Sequence, residues 1–165
     1  MEADRTAPHV KDFKLAMEYK YLIKQVPAGI YLLPERNCMR SIHLYRCSHL
    51  LSYLIHILCG RRLHGVIFVR RGLYRDGVFR FVLELPVHYN DYNAHPVVKF
   101  TSKMFHPLVY TNGVLDLQVE ESLKSWDPET HFIATVLAFI KKIFYVKSFE
   151  SFSIPVVPNP EALML

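Results

Sequence analysis

Cysteine is scarce in this chain, with three in 165 residues, Cys38, Cys47 and Cys59. An odd number with no C-x-x-C pair argues against a disulfide framework and against the common redox motif. The opening MEADRTAPHVKD lacks the apolar core of a secretory signal, so a reducing, cytoplasmic compartment is expected. Long apolar runs are missing as well. The most apolar stretch, residues 50–59, is about half of the roughly 20 residues that a bilayer requires, and it contains His56. A third absence concerns chemistry. Residues 105–118 read FHPLVYTNGVLDLQ, a compact run of aromatic, His-Pro, Asn-Gly and Leu-Asp-Leu that resembles a scaffold for a reactive side chain, yet neither cysteine nor serine occurs from Met104 to Glu121.

What is present makes a folded domain. Hydrophobic residues at 51% and aromatics at 13% exclude a disordered chain, because that much apolar surface offsets the ordering entropy. The length suits one domain that buries roughly two thirds of its unfolded surface. The net charge of +5 is unevenly placed, with Arg46, Arg61 and Arg62 inside residues 44–64, where no acid balances them. Arg70, Arg71, Arg75 and Arg80 spread across an expected hairpin and read first as a solvated strand surface, second as an anion-binding patch. No interleaving of aromatic and basic residues matches a standard RNA motif, so nucleic acid is not an expected partner.

Along the chain, residues 13–24 hold no Gly or Pro and place Phe13, Ala16, Met17, Tyr21 and Ile23 near helical spacing. Pro27 and Gly29 stop this helix, and residues 30–33 read as a short strand ending at Pro34. GVIFVRRG at 65–72 and VFRFVLEL at 78–85 are strands joined through Asp76-Gly77, a strong hairpin signal in which Gly accepts positive φ. Phe79, Phe81, Leu83 and Leu85 share one face, Pro86 ends that strand, and residues 96–101 supply another. Asp127 can cap a second helix with Pro128 at its first position and Glu129 near its positive end. Ile133, Val136, Leu137, Ile140, Ile143 and Phe144 form its apolar stripe. The tail from Ser151, with Pro155, Pro158 and Pro160, is expected to be extended. The order describes an α+β domain: an N-terminal helix, a four-stranded antiparallel meander, an irregular loop and a following helix on one sheet face.

Residues 44–64 stand apart. Leu50, Leu51, Leu54, Ile55 and Leu58 match a helical stripe, and Cys38, His43, Cys47, His49, His56, Cys59 and His64 crowd together at spacings that fit no standard zinc pattern. Three readings stay open: an amphipathic packing or partner helix, a sequence insertion, and a metal site as the least favoured. No metal or cofactor is expected.

With these elements in order, the chain resembles the ubiquitin-conjugating enzyme (UBC) fold. The matching landmarks are Pro86, His106-Pro107, Gly113, Leu115-Asp116 and Trp126-Asp127-Pro128, spanning most of residues 13–147. The departures matter most. Leu108 stands where the family has Asn, and Val114, in a loop one residue shorter, precedes Leu115-Asp116 where the nucleophilic Cys should be. A thioester needs a thiolate as nucleophile and leaving group, and valine can be neither. Leu108 has no side-chain donor for the charge developing on an attacked carbonyl. His106, Pro107, Leu108, Val114, Leu115 and Asp116 are therefore the expected positions of a degenerate active site. His106 reads as a brace of the loop and Trp126 as its packed anchor.

Among inactive variants, the strings GIYLLP at 29–34, GVIFVRRGLYRDGVFRF at 65–81, FHPLV, GVLDL and NPEA at 159–162 are similar to the AKT-interacting protein / Fused Toes subfamily and its insect crossbronx relatives. That resemblance implies a non-catalytic adaptor that binds a Hook-type coiled-coil protein and a large scaffold subunit, linking vesicle or endosome cargo to dynein transport on microtubules. It implies cytoplasmic location, with peripheral association at endosomal or plasma membrane only through partners. The alternative is a conjugating enzyme, or an accessory variant that binds ubiquitin non-covalently or positions it for an active conjugating enzyme. The resemblance also implies a core of 13–150 with 44–64 as an insertion, and a truncated tail at 151–165.

Overall fold

The computed structural model describes residues 8–35, 61–89, 91–146 and 158–164. Helix α1 spans Pro8–Gln25, five residues longer at its start than the apolar spacing suggests. Its buried stripe also differs from the expected one. Leu15 and Leu22 enter the core, Tyr21 is exposed and Met17 is only partly buried. Leu15, Glu18 and Leu22 recur at three and four residues and so share one face. The side chains of Phe13, Ala16 and Ile23 lie outside the described residues.

Gly29, with φ +94, turns the chain out of α1 into strand β1, Ile30–Pro34. Strands β2 (Arg62–Phe68), β3 (Val78–Glu84) and β4 (Val97–Phe100) complete an antiparallel sheet in the order β1-β2-β3-β4, the meander expected. Leu32 pairs with Gly65, Gly65 with Phe81, and Phe81 with Phe100. Gly65 leaves room for the Phe81 ring, whose Cζ would lie 2.2 Å from any Cβ added there. Phe81, Leu83 and Leu85 are buried and Phe79 is partly buried, so this strand face is the inner one.

β2 bears on the segment 44–64. Arg62, Leu63 and His64 belong to the sheet, with Leu63 buried opposite Pro34 and His64 opposite Leu33. The last three residues of the expected insertion are thus part of the domain's framework. Cys38, His43, Cys47, His49, His56 and Cys59 lie outside the described residues. Ser41-Ile42-His43 repeats the polar, apolar, histidine pattern of Arg62-Leu63-His64, so a chain without 44–64 would carry the same alternation into Gly65.

The β2–β3 connection is longer than a two-residue turn. The Val69 N–H donates to Gly77 O at 2.9 Å and the Asp76 N–H to Val69 O at 2.7 Å. Positive φ falls on Asp76, at 64, not on Gly77. Gly77 is needed for space, since a Cβ would come within 2.6 Å of the Phe79 ring and 2.8 Å of Tyr74 O.

Helix α2 spans Ile133–Tyr145, starting later than Asp127 and Pro128 suggest. Asp127 closes a local turn instead. Its carboxylate accepts from the Glu129 N–H at 2.9 Å and Thr130 Oγ1 at 3.1 Å, and its carbonyl accepts from the His131 N–H at 2.8 Å. Such an Asx-type turn offers the backbone an alternative to helix, so α2 begins afresh after Phe132. Thr135 Oγ1 accepts the Phe132 N–H at 3.2 Å. Ile133, Val136, Leu137, Ile140, Ile143 and Phe144 are all buried, as the stripe requires. Phe144 stacks on Phe79 at 5.0 Å and meets Phe100 edge-on, which seats α2 on the inner sheet face. The tail is not wholly extended, because Pro160–Met164 forms a 3-10 turn with Ala162 buried.

Candidate functional site

Residues 105–118 fold as a short two-armed extension of the sheet. The Tyr110 N–H donates to Val114 O at 2.9 Å, the Gly113 N–H to Tyr110 O at 2.8 Å, and Val109 bridges Leu115. The returning arm lies along β4, where the Phe100 N–H donates to Gly113 O at 2.7 Å and the Leu115 N–H to Val98 O at 2.9 Å. Asn112 Oδ1 accepts the Val114 N–H at 3.0 Å, consistent with the Asn-Gly turn. Gly113 has φ +87, and a Cβ there would sit 2.4 Å from Phe100 O. Both the left-handed backbone and the clash oppose a side chain. Gly113→Ala is expected to lower stability by about 2 kcal/mol or more, read as a shift in urea midpoint. An unchanged midpoint would contradict this geometry.

His106 is fully buried. Its Nε2 lies 3.2 Å from Ile143 O and its Nδ1 accepts the Leu108 N–H at 3.1 Å, an arrangement that suits the neutral ring with the proton on Nε2. Burial pushes its pKa down to about 4, against the smaller opposing effect of the Ile143 carbonyl. The Tyr74 ring stacks on it at 5.0 Å and Phe144 packs at 5.7 Å. With both nitrogens engaged and no exposed edge, this imidazole ties the loop to α2.

Leu108 has 0% of its surface exposed, and its carbonyl accepts the Asp116 N–H at 3.0 Å. Pro107 is buried, and its carbonyl accepts the Asn159 N–H at 3.1 Å, so the tail returns to this loop. Val114 is partly buried and Leu115 buried. Asp116 Oδ1 caps the 3-10 turn Leu117–Val119 by accepting the Gln118 N–H at 2.9 Å, while Oδ2 lies 3.4 Å from the Tyr110 hydroxyl and raises its pKa. Trp126 is buried against Tyr89 and His131, with ring centroids at 5.5 and 5.4 Å. Its Nε1–H has no acceptor among the described residues.

The structure brings together the six loop positions read from the sequence and places Trp126 apart, beside Tyr89 and the 127–131 turn. All three cysteines fall outside the described residues, and no cluster of metal-ligating side chains occurs among the described ones. The sequence reading missed Tyr74, Asn159 and Glu18. Glu18 Oε1 accepts from the Tyr89 hydroxyl at 3.1 Å and from the Ile133 N–H, joining α1 to the start of α2. Burial raises its carboxyl to about 7, despite those two bonds. Its spacing from Leu15 and Leu22 was the available signal.

This sheet, capped by a helix on one face and carrying a His-Pro loop that folds back along β4, matches a known class. The model of the family described as ubiquitin-conjugating enzyme covers residues 55–151, more than half of the chain. The chain belongs to the ubiquitin-conjugating enzyme family. Human ubiquitin-conjugating enzyme E2 G1 shares the fold with a TM-score of 0.59 at 20% identity, over 84% of this chain and 96% of that one. Among curated proteins, a crossbronx homolog from Culex quinquefasciatus is 35% identical over 82% of this chain and 49% of its own length. The AKT-interacting protein of Danio rerio is 34% identical over 96% of this chain and 44% of its own. The chain thus spans about half the length of the curated relatives it matches. No helix among the described residues is long and apolar enough to cross a membrane.

Proposed function

We propose that this chain is a non-catalytic ubiquitin-conjugating enzyme variant that acts as an adaptor in a Hook-containing complex, linking vesicle or endosome cargo to dynein-based transport. The observation that carries the reading is the closed state of the His-Pro loop. His106 is spent on Ile143 and Leu108, Leu108 fills core, and Val114 occupies the position before Leu115-Asp116. That loop holds no thiol to form a thioester, and the buried His106 has both ring nitrogens engaged and so is not placed to take a proton. The kinship with AKT-interacting and crossbronx proteins supports the adaptor role. The partners are a Hook-type coiled-coil protein and a large scaffold subunit, in the cytoplasm.

A second reading, an accessory variant that holds ubiquitin for an active conjugating enzyme, is favoured by the outer sheet face. Tyr31, Leu33, Phe68 and Val78 are exposed there, with Tyr31 and Phe68 in edge contact at 5.7 Å. Affinity purification of the full chain from cytosol separates the two. A long coiled-coil transport adaptor among the captured chains is the expected result, whereas an active conjugating enzyme with ubiquitin would replace the first reading by the second.

A further inference from the structure

The β2–β3 connection holds an apolar side chain at its apex for which the fold has no use. Leu73 is 69% exposed, and Arg70, Arg71 and Arg75 around it are exposed as well. A lone exposed leucine is ordinary on a protein surface, but this one is held in place. Gly72, with φ +89, passes so close to α2 that a Cβ would lie 3.2 Å from Phe144 O. The Arg75 N–H donates to Gly72 O at 3.1 Å and the Gly77 N–H to Tyr74 O at 3.0 Å, closing successive turns. Tyr74 is drawn inward: its hydroxyl donates to Phe105 O at 3.0 Å and its ring lies against His106, Phe79 and Phe144. With Gly72 against the helix and Tyr74 in the interior, Leu73 is left outside. Tyr74 also tethers a second exposed apolar residue, Phe105, which follows the exposed Lys103 by two positions.

Among the described residues the surrounding charge is mostly of one sign: Arg70, Arg71 and Lys103 form no ion pair there, and Asp76 pairs with Arg75 at 3.1 Å in an exposed contact. We propose that this apex is a direct contact for an anionic lipid bilayer, with Leu73 and Phe105 entering the interface while the arginines lie at the level of the phosphates. Long cationic side chains can rest their stems on apolar surface with the head outside it. An apolar tip ringed by cations combines burial with attraction to anionic headgroups. A nucleic acid is favoured less, because the Tyr74 ring is already packed against His106 and Phe144 and offers no free platform for a base. The proposal is independent of the adaptor reading and replaces an association made only through partners by one the chain makes itself.

The test is sedimentation of the full chain with vesicles of phosphatidylcholine alone and of phosphatidylcholine mixed with phosphatidylserine. Binding is expected to the mixed vesicles only, weakened about fivefold by each of Arg70→Gln and Arg71→Gln and about tenfold by Leu73→Ser. Thermal unfolding of each variant should match the parent, since these side chains are exposed. Leu73→Trp adds a reporter of depth, and the parent chain, whose single Trp126 is buried, serves as the blank. Quenching of the added indole by lipids brominated on their acyl chains supports insertion. The proposal is overturned if the mixed vesicles do not retain the chain or neutral vesicles retain it equally. It is also overturned if binding occurs without quenching, or if the arginine-dependent binding is to an acidic peptide or RNA and not to vesicles.

Discussion

Leu108→Ala is expected to lower the stability of this domain by about 2–5 kcal/mol, and Leu108→Asn, the residue that the resemblance to the conjugating-enzyme loop implies here, by at least as much. Leu108 is fully buried in the same core cluster as Val109, Leu115, Ile143 and Phe144. Truncation leaves a cavity there. Asparagine adds an amide that must find partners among apolar side chains, and the neighbouring His106 ring already bonds Leu108 N and Ile143 O. Against a typical total of about 5–15 kcal/mol, either change is large. Urea denaturation measures both, and an Asn variant as stable as the parent would mean that the position keeps a polar environment and that the loop has not been absorbed into the core.

The second large effect is a dependence on pH that passes through Glu18. Its folded pKa of about 7 lies above the ordinary 4.5, so the native state holds the proton more tightly than the unfolded chain. The resulting stabilisation is complete below pH 4.5 and is lost as the pH rises through 7, a loss on the order of 3 kcal/mol. His106 acts in the opposite direction. Its folded pKa of about 4 lies below the ordinary 6.5, so its contribution is present above pH 6.5 and lost as the pH falls toward 4. Between pH 4.5 and 6.5 the two slopes oppose each other, and the parent chain should show a shallow profile there from this pair. Glu18→Gln keeps an oxygen to accept from Tyr89 and Ile133 but carries no charge. Its stability should rise between pH 4.5 and 6.5 and then level, ending above the parent at pH 8 by roughly 2–3 kcal/mol. Denaturant midpoints across that range measure the difference, and superimposable profiles would contradict the placement of Glu18 in a desolvated site.

Much of the fold was legible because its signals are local and repeated. The alternation Phe79, Phe81, Leu83, Leu85 could face only one side of a strand, and the α2 stripe is apolar at every third or fourth residue. Helix α1 was harder to read. Apolar residues lie around much of its circumference, so the spacing that picks out Phe13, Ala16, Met17, Tyr21 and Ile23 misses Leu15 and Leu22, which are the ones buried in the core. The start of α2 was misjudged because Asp127 and Pro128 signal a helix start, yet the same Asp can close a turn that ends before the helix. The Asp76-Gly77 signal located the hairpin but not its length, which Tyr74 sets by anchoring to His106 and Phe105 far along the chain. The residues of the candidate loop were picked by identity, as His-Pro, Gly113 and Leu-Asp in sequence, and the structure gathers them in one short two-armed loop. Its closure was not legible, since the bonds of His106 to Ile143 and of Asn159 to Pro107 cross long stretches of sequence that no spacing rule connects.

The central claim, that the family's loop persists here without its chemistry, is tested most directly by incubating the pure chain with ubiquitin, activating enzyme and ATP and resolving the products with and without a reducing thiol. No adduct is expected on the chain under conditions that fully charge an active conjugating enzyme. A ubiquitin adduct removed by the thiol would mean that Cys38, Cys47 or Cys59 serves as an acyl acceptor, and it would contradict the account.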